Sequence, residues 1–204
     1  MDKAKIRLSE EEAELVANAN WILTKNAILQ KVNQLLGQLQ SDQQVYLQPY
    51  LSMLPPEVIQ VSAKISKGEN YKGLPYLVLD YPRYFVKENQ FAIRTMFWWG
   101  NFFSITLHLS GIYKEMYTGA INRSLTRLQE EDFFICVGAD QWEHHFEAGN
   151  YTSLKEYNAG SFSQQISSKE FLKLAKRFPL ALWDNAEDLL LASFSSMIKC
   201  LQAG

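Results

Sequence analysis

Cysteine is scarce in this chain. Its 204 residues contain two, Cys136 and Cys200, far apart and in no Cys-x-x-Cys pair. A disulfide framework and a zinc site therefore have no basis. Cys136 lies in an apolar run, where a buried, inert thiol is expected. Basic clusters are absent too. Lys and Arg number 20 against 22 Asp and Glu, the formal net charge is −2, and no basic run exceeds two residues. A nucleic-acid surface needs clustered cations to displace counterions, so nucleic acid is not an expected partner. No stretch approaches the roughly 20 apolar residues that span a bilayer. The N-terminal MDKAKIRLSEEEAEL has no apolar core of signal-peptide length. These absences predict a soluble, cytoplasmic protein without membrane contact.

Catalytic signatures are also lacking. There is no Gly-x-Ser-x-Gly elbow, no Gly-x-x-x-x-Gly-Lys phosphate cradle and no pair of histidines four residues apart. Apolar residues are plentiful, at 47%, with 13% aromatic. That suffices for one sizeable core, and a single globular domain over 1–204 is expected.

The densest feature is Phe91 to Leu109, FAIRTMFWWGNFFSITLHL. Gly100-Asn101 separates two β-rich runs and suits a two-residue type II′ hairpin turn. That register places Trp98 opposite Phe103, Arg94 opposite Leu107 and Ile93 opposite His108. Alternation then gives two faces. One carries Arg94, Met96, Trp98, Phe103, Ile105, Leu107 and Leu109. The other carries Phe91, Ile93, Thr95, Phe97, Trp99, Phe102, Ser104, Thr106 and His108. Neither strand has a Lys or Glu, so helices or a partner should cover both faces.

Ser9 with Glu12 forms a capping box that opens a long helix. Leu8, Leu15, Ile22, Leu29 and Leu36 recur every seven residues along it, making 8–36 a candidate homodimer face. Gly37 and the Gln-rich stretch after it should end or interrupt the helix, with a shorter one from Ser41 towards Tyr50. Pro55-Pro56 enforces an extended or turn segment. Lys64–Gly73 reads as a loop. Leu74–Tyr81 reads as a strand stopped by Pro82, with Pro75 near its entry. Ile112 to Leu128 has helical spacing, and Phe133–Gly138 is an apolar strand. Ser167 with Glu170 predicts a helix carrying Phe171, Leu174 and Phe178 and broken by Pro179. A last helix follows Asp184. This order favours an α+β fold: a mostly antiparallel sheet around a central hairpin, flanked by helices. The expected parts are a helical 1–50, a sheet-rich core over 74–147 and C-terminal helices over 167–202.

The best polar cluster is DQWEHHFE, Asp140–Glu147. As a helix, Asp140 is the N-cap, Gly149 the stop, and Asp140, Glu143, His144 and Glu147 share one face. Such a face could hold a metal or move a proton. As a strand, Trp142, His144 and Phe146 share one face and Glu143, His145 and Glu147 the other. The two caps favour a short helix with no metal bound, anchored by Trp142 and Phe146. Among the other candidates, Arg94 needs a carboxylate, which Asp80 or an acidic residue of a covering helix could supply. Arg83 lies where a strand ends, and His108 lies on a partly apolar face. The ligand-binding candidates are thus His108, His144, Trp142, Glu143, Arg83 and Arg94, with no cofactor. The chain reads as a non-catalytic protein that binds a protein partner or a small ligand. The alternative is a small-molecule enzyme using His108 or His144 with nearby carboxylates. Convergence of both histidines and an arginine on one enclosed pocket would favour the enzyme.

Overall fold

A computed structural model describes residues 6–202; the ends of the expected 1–204 domain lie outside the described residues. Seven α-helices and seven strands are present among them, and all strand pairings are antiparallel. The α+β expectation stands. No helix among the described residues is long and apolar enough to cross a membrane.

The N-terminal region differs from its sequence reading in two ways. The capping box of Ser9 and Glu12 forms, but the helix it opens, α1, spans only Glu10–Ala17. Asn18 closes α1 and opens α2, its side-chain oxygen accepting from Asn20 N–H at 3.1 Å. Asn competes with helical backbone hydrogen bonds in this way, which favours a break. Past Gly37, α2 continues without interruption, spanning Ala19–Leu47. Val32, Leu36, Leu39 and Leu47 are fully buried along that stretch, so packing outweighs the roughly 1 kcal/mol propensity cost of Gly37. A 3₁₀ turn and a short helix α3 (Pro56–Gln60) lead into the sheet.

The expected loop 64–73 is strand β1 (Lys64–Tyr71), paired with β2 (Leu74–Val86). Lys72 and Gly73 both have positive φ, 49° and 82°, as a two-residue type I′ hairpin turn requires. The polar composition that suggested a loop belongs to an edge strand. Pro82 does not stop β2. A bulge between Asp80 and Arg83 adds one residue opposite β3 (Asn89–Trp98), and the Tyr81–Pro82 peptide is cis. Because side chains alternate, the extra residue brings Asp80, Arg83 and Phe85 to the same face.

The central hairpin is shifted by one residue from the sequence reading. Strand β4 (Phe102–Ser110) pairs Trp98 with Phe102, Arg94 with Thr106 and Ala92 with His108. The loop contains Trp99, Gly100 and Asn101. Gly100 has φ +70°, and Asn101 N–H donates to Trp98 C=O at 3.1 Å. Glycine thus occupies the second central position of the turn, where a type II turn needs positive φ. The one-residue slip flips β4 relative to β3. Phe103, Ile105 and Leu107 join Phe97 and Ile93, whereas Arg94, Thr106 and His108 share the opposite face.

Helices α4 (Gly111–Arg123) and α5 (Leu125–Glu130) follow, then β5 (Phe134–Cys136), β6 (Tyr151–Ser153) and α6 (Ala159–Ser167). The helix expected from Ser167 is instead strand β7 (Phe171–Pro179), lying between β4 and β5. Its true period is two: Leu172, Leu174 and Phe178 face one way, Phe171, Lys173 and Ala175 the other. The C-terminal part is therefore strand then helix, ending in α7 (Ala186–Cys200). The sheet order is β1-β2-β3-β4-β7-β5-β6. Helices α2, α4 and α7 cover one face with a single large apolar core. The irregular segment 139–150 covers only part of the other.

Candidate functional site

The partly covered face carries the candidate site. From the register, Asp80 on β2, Arg94 on β3, Thr106 and His108 on β4 and Lys173 on β7 all point to it. Segment 139–150 lies over β4, β7 and β5. Beside it, over β1 to β3, a cleft of about 650 Å³ opens. Val78 and Met96 form its floor, and Tyr71, Phe85, Trp142 and His144 lie on its walls.

Segment 139–150 is neither the expected helix nor a strand. Its backbone groups are claimed by the sheet. The Tyr71 hydroxyl accepts from His144 and His145 N–H at 2.7 and 3.0 Å and donates to Glu143 Oε2 at 2.8 Å. Lys173 Nζ donates to the Glu143 carbonyl at 2.6 Å. These groups would serve internal bonds in a helix. Asp140 caps only a turn, accepting from Trp142 N–H at 2.8 Å. The alternation expected of a strand persists in the side chains. Trp142 packs against Phe85 and His108, and Phe146 against Phe102, Phe134 and Tyr151. Glu143 and Glu147 flank His145 on the other side, at 3.4 and 3.5 Å.

Arg94 is the hub. It donates from Nε and Nη2 to both Asp80 oxygens, at 2.7 and 2.9 Å, and its Nη1 contacts His144 Nε2 at 3.0 Å. This bidentate pair fixes the guanidinium plane. Guanidinium can only donate, so His144 Nε2 accepts and the ring proton sits on Nδ1. Burial, with Lys173 and Arg94 nearby, pushes His144 well below the usual histidine range. His108 is 4% exposed, with Nε2 facing Gln141 Oε1 at 2.9 Å. Burial and the Lys173 charge lower it to about 3, against the opposing Gln141 contact. Both rings are therefore neutral and internally bonded near neutral pH.

The sequence candidates divide accordingly. Arg83, Arg94, Trp142 and His144 line the cleft, while His108 lies behind Trp142 and does not. Glu143 holds Tyr71 at the margin. His108 does not line this cleft, so among the described residues the cleft gathers His144 with Arg83 and Arg94 but not both histidines. Four cations, Lys64, Arg83, Lys87 and Arg94, line it against one carboxylate, Asp80. Only Arg94 has an ion-pair partner among the described residues. No family model, curated protein or solved structure matches this chain.

Lys173 and Tyr71 escaped the sequence reading. The capping box at Ser167 puts Lys173 in a helix, and the polar run 64–73 puts Tyr71 in a loop. The alternation of FLKLAKRF and the Lys72-Gly73 turn signal were the available cues. No group of three or more His, Cys, Asp or Glu positioned to hold a metal occurs among the described residues.

Proposed function

We propose that this chain is a non-catalytic, cytoplasmic binding protein whose cleft receives an anionic group carried on an apolar or aromatic body. The supporting observation is the charge balance of the cleft. Arg94 is neutralised by Asp80, whereas Lys64, Arg83 and Lys87 face the same space without a carboxylate. Arg83 makes one bond, from Nε to the Ser62 carbonyl at 2.9 Å, which leaves its terminal amino groups for a ligand. Aromatic walls and an apolar floor suit the ligand body.

The state of the histidines supports binding over proton transfer. A general base needs a free lone pair within reach of substrate and a pKa near the working pH. His144 spends its acceptor nitrogen on Arg94, and His108 lies behind Trp142.

The contact between Arg94 and His144 favours a second reading, a small-molecule enzyme in which substrate displaces Arg94 from His144 Nε2. NMR titration with benzoate and the isosteric cation benzamidine tests the first. Saturable benzoate shifts at the Trp142 indole are expected, weakened by Arg83→Glu and little changed by His144→Gln. Equal response to both probes, or to neither, would overturn it.

A further inference from the structure

Among the described residues, helix α1 buries no side chain against its own chain. Eight residues are too few for a stable isolated helix in water, where about 12–15 are marginal. The apolar residues in and beside it are uncovered: Leu8 just ahead of it is 58% exposed, Leu15 and Val16 within it 45% and 75%, and Ile22 and Leu23 at the start of α2 53% and 62%. Farther along the seven-residue stripe, Leu36 is fully buried in the chain's own core. The stripe thus begins on a surface that its own fold leaves open.

The charge of α1 is one-sided. Glu10, Glu11, Glu12 and Glu14 lie within it, and it contains no basic residue. The cleft has the opposite surplus, four cations against Asp80, around an apolar floor of Val78 and Met96. An acidic, apolar helix and a cationic, apolar cleft are complementary in both respects.

We propose that the cleft of one copy receives α1 of a second copy, so that two chains associate reciprocally, each donating a helix and accepting one. This rests on the cleft being an anion-accepting site and names its occupant. Trp21 stacks on Trp99 at the turn end of the sheet, with ring centroids 6.3 Å apart. Helix α2 runs on the helix-covered face, whereas the cleft opens on the opposite face. The break at Asn18 gives α1 a direction independent of α2. A reciprocal exchange satisfies twofold symmetry and leaves neither helix nor cleft unpaired.

Sedimentation equilibrium of the full chain, over a wide concentration range, tests the proposal. A dimer in dilute buffer that dissociates in molar salt is expected, because salt screens exposed charges within a few ångström. Two charge-reversed proteins sharpen the test, Glu11→Lys/Glu14→Lys and Lys64→Glu/Lys87→Glu, all at exposed positions. Each alone should associate at least tenfold more weakly than the parent. Their equimolar mixture should recover a dimer, since both helix-to-cleft contacts are then complementary. A monomeric parent, or a dimer indifferent to either reversal, overturns the proposal. Benzoate titrated into the Glu11→Lys/Glu14→Lys protein, whose cleft residues are unchanged, separates the two readings. Benzoate binding with a monomeric parent overturns only the self-association. Absence of both overturns the cleft reading as well.

Discussion

On the helix side of the sheet, Phe91, Phe97, Phe103 and Leu107 are almost completely buried against α4 and α7. On the other side, Tyr71, Arg94, His108 and Lys173 each reach a polar group of segment 139–150. The same strands build both faces. Apolar burial is non-directional, so the helix side needs volume and shape. The segment side needs angles and partners, because a buried donor or acceptor left alone costs more than its bond contributes. One face sets stability, and the other sets where an irregular segment sits and hence the shape of the cleft.

Truncation on the helix side should have the largest effect. Phe103→Ala, at a fully buried position, should lower unfolding free energy by about 3–5 kcal/mol. Chemical denaturation checks this, and a loss near zero would break the assignment of faces.

Asp80→Ala should come next. Breaking a buried ion pair typically costs about 3–5 kcal/mol; the Arg94 side chain keeps 18% exposure, which places the loss nearer ~3. Asp80→Ala/Arg94→Met should lose less than the single change in the same assay. A larger loss in the double variant would show that Arg94 contributes more through His144 than through Asp80.

Tyr71→Phe removes the acceptor for two backbone N–H groups, and a loss of about 1–3 kcal/mol is expected. Its signature is local. Amide exchange at His144 and His145 should accelerate more than at Leu107. Uniform acceleration would erase the contrast between the faces.

The smallest effect at neutral pH is expected for Lys173→Met. Lys173 is 1% exposed, and burial lowers its pKa from 10.5 to about 8. Below pH 8 the lysine is charged in both states, and the folded state carries the full desolvation penalty. Between about 8 and 10.5 the unfolded chain binds more protons, so stability rises with pH. The parent should therefore gain on the Met variant across that window by on the order of 3 kcal/mol. At neutral pH the two should be similar, since an apolar isostere relieves burial but loses the Glu143 bond. Cys136, Tyr151, Arg94, Asp140 and Glu143 surround position 173 in both proteins, and the Met variant also removes the Lys173 charge that His108, His144 and Cys136 feel, so the difference reports the lysine together with those neighbours. A flat difference profile would contradict a charged, buried Lys173.

The α+β class was legible from the order of elements, and Arg94's need for a carboxylate from the cost of burying a lone guanidinium, with Asp80 as one of two possible sources. The faces were not. A hairpin loop of two or three residues is compatible with Trp99-Gly100-Asn101, and that one residue decides whether Arg94 and His108 lie apart or together. Ser167 and Glu170 imitate a helix start, but β4 and β5 offer strand partners on both sides of 171–179. Local capping signals carry no knowledge of such partners. The same holds for DQWEHHFE, whose Asp140 and Gly149 suit a helix until Tyr71 and Lys173 take its backbone groups.

The two borders of the sheet carry one further consequence. An open sheet invites another chain to pair along its margin and propagate into aggregates. Here β6 ends one side after three residues, too short a template for extension. On the other side β1 is longer, but it carries Lys64 and Lys67 and loses regular register between Gly68 and Tyr71. A side chain at Gly68 would overlap the Tyr76 ring, so that position is tied to the irregularity. Brevity on one margin and lysine with broken register on the other discourage strand-by-strand growth. A second copy would thereby find no template along the backbone ladder and could meet this chain only through side-chain surfaces, where charge sets specificity.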